Sequence, residues 1–157
     1  MEITSSSLNV SSTSTDWRGV ALSNFALSPF VLEDNLFASV EGFIQGIKFP
    51  EGDSLRAVAF CSSGQDAKSL ASQADRRAVY WAGERIAYGC ADHHQLIGRA
   101  IRARIEQSIG LQKVLLSTDG LDLVHNTGPE PESPATSLPA VVFCGILTEL
   151  REELKAR

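Results

Sequence analysis

The sequence predicts a single α+β domain that is mainly helical, with a small sheet or hairpins packed among the helices. Three observations lead to this prediction. The chain has 157 residues, of which 43% are hydrophobic and 21% charged, a composition that suits one globular domain with its own core. Segments with the apolar spacing of amphipathic helices outnumber segments with strand-like alternation. The predicted strands are short, and we expect them to pair with strands that are close in the sequence.

Charge and hydropathy limit the classes of function open to this chain. Its 14 Lys and Arg residues against 19 Asp and Glu residues leave a net charge of −5, whereas proteins that bind duplex nucleic acid through phosphate contacts are normally basic. The longest apolar run, residues 138–147, is too short to cross a bilayer, and the N-terminus has no secretory-signal pattern. Three widely spaced cysteines favour reduced thiols. We therefore expect a cytoplasmic protein with no membrane partner.

The N-terminal part of the chain is predicted to supply a flexible tail, a short strand and a hairpin. Residues 1–7 are expected to fray, which leaves residues 8–157 as the single domain. Leu8 and Val10 have the spacing of a short strand. Two apolar segments within residues 30–37 flank an acidic turn, a pattern typical of a hairpin.

Caps and stops predict three helices in the next part of the chain. Ser39 is a suitable cap for a helix of about ten residues, which Pro50 ends because proline disfavours helical geometry in the residue before it. Asp53 is the predicted cap of a second helix that runs through Phe60. A weaker helical pattern follows at residues 66–73.

A second hairpin and the longest helix follow. Residues 79–88 contain two alternating segments with aromatic side chains around a glycine-containing turn. Asp92 is predicted to cap the longest helix, whose isoleucines repeat every four residues, and Gly110 to end it. His93 and His94 fall in its first turn and are expected to be exposed to water. Because no HExxH or CxxC pattern occurs, we expect no metal site.

The C-terminal part is predicted to contain two helices separated by a strand and an irregular segment. Residues 111–116 form the first helix and residues 121–124 a short apolar strand. Three prolines exclude regular structure at residues 128–134. Ser137 is the predicted cap of an amphipathic helix with Pro139 near its first turn.

The helix that follows Ser39 carries the residues most suited to chemistry. Its apolar residues have the i, i+3, i+4, i+7 spacing of a core-facing stripe; they are Val40, Phe43, Ile44 and Ile47. Glu41, Gln45 and Lys48 have the same spacing one residue later and form a narrow polar stripe beside the apolar one. We call these three residues the polar stripe.

Gly42 and Gly46 border the polar stripe on its other side. Each glycine costs about 1 kcal/mol in a helix relative to alanine, and close approach of another backbone or a ligand is the usual compensation. A glutamate sheltered in this way can have a raised pKa and act as a general acid or base. The alternative is a structural ion pair between Glu41 and Lys48.

Residues 23–25 read Ser-Asn-Phe, Pro29 follows, and the helix that starts near Glu41 carries Gln45 and ends in Lys48-Phe49. This succession resembles the NADAR family, also called YbiA-like. The similarity spans roughly Leu8 to Leu154 and continues in the segments 100–107, 115–118, 123–125 and 150–154.

The resemblance implies an enzyme that cleaves N-glycosidic bonds of ribosides, with phosphorylated riboflavin precursors or ADP-ribose attached to guanine as substrates and with no cofactor. It implies Glu41 and Lys48 as catalytic residues and Asn24 as a ligand-binding residue; we take Phe25 and Gln45 with them as ligand-binding candidates. A carboxylate can stabilise the positive charge that develops on the ribose or activate a water. An amine can attack the anomeric carbon or its opened aldehyde if burial lowers its pKa.

The chain departs from the family pattern before its final helix. Family members carry an Asp and a Trp-Gly in a glycine-rich loop there, whereas this chain has the proline-rich segment 128–139 without a tryptophan. Trp81 is a candidate for the missing stacking surface, and Arg85 for a contact to phosphate. The alternative is that Trp81 belongs to the core and that Arg85 is an ordinary surface residue.

Three functional hypotheses follow. The first is an N-glycosidase that acts on a small nucleotide or an ADP-ribosyl adduct, including ADP-ribosylated nucleic acid. The second is a binding module that keeps a pocket for ADP-ribose or another nucleotide but lacks catalysis. The third is an interaction protein in which Gly42 and Gly46 receive a partner helix, and homo-oligomerisation is left open.

Overall fold

The computed structural model describes residues 6–157. Within them most of the regular structure is helical, and the strands form three two-stranded sheets. The predicted segment 1–7 therefore lies mostly outside the described residues. The α+β class predicted from the sequence is confirmed. The elements are, in chain order, β1 (Ser7–Asn9), α1 (Trp17–Leu22), β2 (Phe30–Leu32), β3 (Asn35–Phe37), α2 (Val40–Gly46), α3 (Ser54–Phe60), α4 (Gly64–Lys68), a 3-10 helix (Ser69–Gln73), β4 (Ala78–Trp81), β5 (Glu84–Ala87), α5 (Ala91–Glu106), α6 (Ile109–Ser117), β6 (Asp122–Val124) and α7 (Ala140–Lys155).

Both predicted hairpins are confirmed. Strands β2 and β3 pair in antiparallel fashion around Glu33 and Asp34, whose φ angles of 48° and 64° are left-handed. Strands β4 and β5 pair in the same way around Ala82 and Gly83, at 52° and 79°. Two consecutive left-handed residues match the right-handed twist of the flanking strands, which explains the tightness of both turns.

The third pair of strands corrects the expectation that all strands pair locally. Strand β1 pairs in parallel with β6, and Leu8 lies opposite Leu123. Both leucines are buried in the core. Alternation in a sequence indicates that a segment is a strand, but it carries no information about a partner more than 100 residues away.

Two predicted helix caps are displaced by one or more residues. Helix α5 begins after Cys90, so Asp92 lies in its first turn, where its negative charge still interacts favourably with the helix dipole. Helix α7 begins after Pro139, and Ser137 therefore precedes the cap. The caps predicted at Ser39 and Asp53 are confirmed, since each side chain accepts a hydrogen bond from a backbone N–H of the first turn. No helix in residues 6–157 is both long and apolar enough to span a membrane.

Helix α2 lies at the centre of the molecule, and residues 39–49 are buried without exception. Phe43, from its apolar stripe, is part of an aromatic cluster. The other members are Phe30, Phe37, Phe60 and Trp81. The helix packs against α3, α4 and α5. Ordinary amphipathic helices keep one face in water, so the burial of every face of α2 sets it apart.

The two glycines of α2 permit the close approach of α3. A Cβ atom at Gly42 would clash with the carbonyl oxygens of Ala59 and Ser62, and one at Gly46 would clash with the Phe60 ring. The expected close neighbour is therefore confirmed, and it is a helix of the same chain. This corrects the idea that these glycines receive a helix from a partner protein.

We expect Gly42→Ala to lower the free energy of unfolding by about 1–3 kcal/mol, because the added methyl group meets backbone atoms that cannot rotate away. Gly145→Ala in α7 is the matched control, since no atom lies within 4 Å of its added Cβ. That variant should be stabilised by up to about 1 kcal/mol through helix propensity. Urea denaturation of the two variants measures the difference, and equal effects would contradict the packing described.

Candidate active site

The polar stripe of α2 is buried together with the rest of the helix. Glu41, Gln45 and Lys48 are 8%, 5% and 4% exposed. The Gln45 side-chain amide donates a hydrogen bond of 2.8 Å to Glu41 Oε1, and Gln45 Oε1 has no hydrogen-bond partner within the described residues. Buried polar atoms without partners are rare in proteins, and they mark places where a water or a ligand can bind.

Asn24 lies beside the first turn of α2. Its backbone carbonyl accepts a hydrogen bond of 3.0 Å from the Glu41 N–H. Its side-chain Oδ1 is buried and finds no donor in residues 6–157. The segment is held in place by Arg104, whose guanidinium donates to the carbonyl oxygens of Leu22, at 3.3 Å, and Ser23, at 3.0 Å. The backbone of Asn24 is thus fixed next to the N–H of Glu41, while its side-chain Oδ1 is left without a partner within the described residues.

Burial dominates the electrostatics of Glu41. It raises the pKa of this carboxyl above its ordinary value of 4.5. The hydrogen bond from Gln45 and the positive charges of Lys48, Lys68 and His125 oppose the rise only in part. The carboxyl therefore takes up a proton more readily than an exposed glutamate, which is the property required of a general acid or base near neutral pH.

Lys48 is perturbed in the opposite direction. Burial lowers the pKa of its amine from 10.5 to about 8, and the charge of Arg76 lowers it further, while Glu41 opposes the change. No ion pair joins Lys48 to Glu41 or to any other carboxylate of residues 6–157. The amine lies 5.7 Å from the centre of the Tyr88 ring. The structural ion pair considered from the sequence is therefore not formed.

His93 was expected to face water, and the structure corrects this expectation because the residue is 0% exposed. Its Nδ1 accepts a hydrogen bond of 2.9 Å from the Gly89 N–H, and Nε2 has no partner within the described residues. Burial lowers the pKa of the imidazole from 6.5 to about 4, and the charges of His94 and Lys48 add to the effect. Gly89, in the loop before α5, contacts His93 in the first turn of that helix. The position of a residue along a helix does not reveal such a contact, so the sequence did not predict the burial of His93.

Two further basic side chains that act on Glu41 were not identified from the sequence. His125, at the end of β6, donates from Nδ1 to the Val10 carbonyl at 2.7 Å. Lys68, in α4, lies over the Phe25 ring at 5.6 Å. Both act on the pKa of Glu41. His125 falls within a segment that resembles the NADAR family, but neither residue belongs to a motif that specifies a role.

Trp81 and Arg85 lie apart from the polar stripe. Trp81 packs against Phe37 and Phe43 on the core side of α2, and its indole N–H donates to Glu33 at 3.0 Å. Its edge lines a depression of about 300 Å³. Arg85 is exposed on β5. Of the residues predicted from the sequence, Glu41, Gln45 and Lys48 are buried together, and the backbone of Asn24 is bonded to that of Glu41. We call these four residues the buried cluster. Phe25 follows Asn24, and its ring lies under Lys68.

No group of three or more His, Cys, Asp or Glu side chains is placed to hold a metal ion in the part of the chain that the structure describes. The buried cluster presents one carboxyl, one amine and two side-chain amides. Such a set can bind a polyhydroxylated ligand, transfer protons and stabilise a developing positive charge.

Comparison with known proteins gives three findings. The family model described as bacteriophage protein GP30.3 matches residues 16–152. A 17.1 kDa protein from the Gp30–rIII intergenic region of Enterobacteria phage T4 is 30% identical over 142 residues, which cover 88% of this chain and 93% of that protein. The NMR structure of the E. coli protein YbiA superposes with a TM-score of 0.70 at 24% identity, covering 99% of this chain and 88% of YbiA. The predicted resemblance to YbiA-like proteins is thus confirmed at the level of the fold.

We expect Glu41→Gln to raise the free energy of unfolding at pH 8, by roughly 1 kcal/mol, the usual gain when a functional group that costs stability is removed. The pKa of this carboxyl is raised on folding, so the folded state loses stability as pH rises through the interval between the unfolded and folded values. The gain should therefore vanish near pH 4, as thermal denaturation at both pH values can measure. A variant less stable than wild type at pH 8 would contradict the burial described.

We expect His93 to contribute a loss of about 2–3 kcal/mol of stability as pH falls from 6.5 to about 4, because unfolded His93 binds a proton that the folded imidazole excludes. His93→Asn keeps an acceptor for the Gly89 N–H and does not titrate, so its stability should fall less over this range. His94→Asn is the comparison: it removes only the secondary contribution to the pKa of His93, so its pH profile should differ from wild type much less than that of His93→Asn. Identical pH profiles for all three proteins in urea denaturation would refute the assignment.

Proposed function

The chain belongs to the family of bacteriophage protein GP30.3. We propose that this member of the family is an N-glycosidase. The reaction is hydrolysis of the C1′–N bond in a phosphorylated riboside or an ADP-ribosylated nucleobase. The observation that carries the proposal is the burial of Glu41 and Lys48 on one stripe of α2, with the pKa of each displaced towards neutrality. The YbiA-like fold supports it, as does the resemblance of the Ser-Asn-Phe segment at residues 23–25 to the NADAR family.

Glu41 is suited to the charge that forms when the C1′–N bond breaks. The electron pair of that bond leaves with the base nitrogen, and the ribose acquires oxocarbenium character. A carboxylate stabilises this charge and accepts a proton from the attacking water, while the leaving nitrogen takes up one proton. Gln45 holds one oxygen of the carboxyl at 2.8 Å, which leaves the other free for the substrate or water.

Lys48 supplies an amine that titrates in the physiological range. With a pKa of about 8, roughly a tenth of it is neutral at pH 7 and half at pH 8. The neutral amine is a nucleophile towards C1′ or the opened aldehyde, and the ammonium is a hydrogen-bond donor to ribose oxygens. Asn24, with its unpartnered Oδ1, is suited to orient a ribose hydroxyl.

Cationic side chains around the cluster favour an anionic substrate. The charge of Lys68 acts on Glu41, and the charge of Arg76 acts on Lys48. The chain as a whole carries a net charge of −5, so this local excess of positive charge is not a consequence of composition. Phosphate or pyrophosphate groups attached to the ribose are the ligands that such a surrounding attracts.

The proposal is tested by incubating the protein with ADP-ribosylated guanine and with a phosphorylated pyrimidine riboside, and by measuring the free base chromatographically. We expect Glu41→Gln and Lys48→Met each to lower kcat at least about 100-fold, the usual contribution of such groups. Glu84→Gln, on the exposed strand β5, is the matched control and should retain wild-type activity. If the neutral amine reacts, wild-type kcat should rise with pH to a plateau above about 8.

Full hydrolysis by Glu41→Gln would refute the role of the carboxyl. Tight binding of ADP-ribose in calorimetry, with no release of base from either substrate, would favour the binding module instead.

A further inference from the structure

Tyr88 connects Lys48 to the proline-rich segment 128–139. It follows β5, and its ring lies beneath the amine of Lys48, with 5.7 Å between Nζ and the ring centre. The face of an aromatic ring carries partial negative charge and attracts a cation at this distance. The tyrosine therefore contacts the candidate site with its ring and is free to make other contacts with its hydroxyl.

The hydroxyl of Tyr88 is fixed by the proline-rich segment. It donates a hydrogen bond of 2.6 Å to the carbonyl oxygen of Ala135, which can only accept. A phenol has one proton to donate, so the contact of 3.0 Å with Ser137 Oγ must have the serine as its donor. Ser137 is itself buried, whereas residues 129–134 of the segment are exposed. The segment is thus attached to the domain beside the site.

The ring of Tyr88 is held from the side of α5 as well. Its centre lies 4.9 Å from that of the His93 ring, and the two planes are tilted by 52°. His93 is in turn fixed through Nδ1 by the Gly89 N–H at 2.9 Å. The backbone N–H of Tyr88 donates to the Arg77 carbonyl at 3.1 Å. The aromatic surface under Lys48 is therefore rigid, and the neighbouring imidazole brings no charge at neutral pH.

We propose that Tyr88 is a positioning residue for Lys48: its ring holds the amine on the polar stripe, and its hydroxyl couples that position to the proline-rich segment. The catalytic side of this inference rests on the proposed function of Lys48. The contacts of Tyr88 with Lys48, Ala135 and Ser137 stand independently of that function.

The test measures the pKa of Lys48 directly in the full-length protein. The chain has four lysines, so ¹³C-lysine labelling gives four Cε signals, and Lys48→Arg assigns the one of interest. Tyr88→Leu removes the ring and should lower the pKa of Lys48 by about half a unit, because the charged amine loses the ring face. Tyr88→Phe keeps the ring and should retain most of the wild-type value, with only the smaller shift that follows from loss of the hydroxyl contacts to Ala135 and Ser137. An unchanged or raised pKa in Tyr88→Leu overturns the proposal.

The coupling to the segment is tested by hydrogen exchange and by Ser137→Ala. Tyr88→Phe should accelerate amide exchange in residues 135–137 several-fold. Ser137→Ala should shift the Lys48 signal. Ser72→Ala is the control for this second measurement; Ser72 is exposed in the 3-10 helix, and its substitution should leave the Lys48 signal unchanged. If Tyr88→Leu does not fold, Ser137→Ala and Tyr88→Phe still decide the outcome. A Lys48 signal unaffected by Ser137→Ala, with unchanged exchange in Tyr88→Phe, refutes the coupling.

Activity separates this inference from the proposed function. If wild-type protein hydrolyses neither substrate while the Lys48 signal responds to Tyr88→Leu as described, the positioning role stands and the proposed reaction fails. If hydrolysis occurs and Tyr88→Leu lowers kcat without changing the pKa of Lys48, the reaction stands and the positioning role fails.

Discussion

Complete burial of helix α2 is the constraint on which the rest of the structure depends. The absence of side chains at Gly42 and Gly46 lets α3 approach so closely that no water separates the two helices there. The polar stripe is consequently removed from solvent together with the apolar one. Burial in turn raises the pKa of Glu41 and lowers that of Lys48, because both charged forms lose hydration. The close packing of α2 thus shifts the pKa of both side chains, and burying their charged forms costs stability.

Two buried arginines supply the rigidity that such a site requires. Arg104 donates to carbonyl oxygens at the end of α1 and so fixes the backbone that leads to Asn24. Arg151 donates to Thr118 and to the Leu121 carbonyl at 3.0 Å, which ties α7 to the start of β6. Neither guanidinium has a carboxylate partner within the described residues. Each positive charge is instead stabilised by the backbone dipoles that gather at a helix end.

Local patterns predicted the parts of the fold that local interactions determine. The two hairpins and the Ser39 and Asp53 caps each depend on a few neighbouring residues, and each is confirmed. The parallel pairing of β1 with β6 and the burial of His93 depend on residues distant in sequence, and both expectations were wrong. For the site, spacing identified the polar stripe, but the neighbouring charges of Lys68 and His125 arise from tertiary contacts that no spacing encodes.

The pairing of β1 with β6 has a consequence for synthesis of the protein on the ribosome. The first strand of the described chain hydrogen-bonds to Asp122–Val124, and the Val10 carbonyl receives its bond from His125. These contacts cannot form before residue 125 has left the exit tunnel, whereas the hairpins can close as they emerge. In a nascent chain the hairpins can therefore form before the pairing of β1 with β6. That pair is completed only at a late stage of translation.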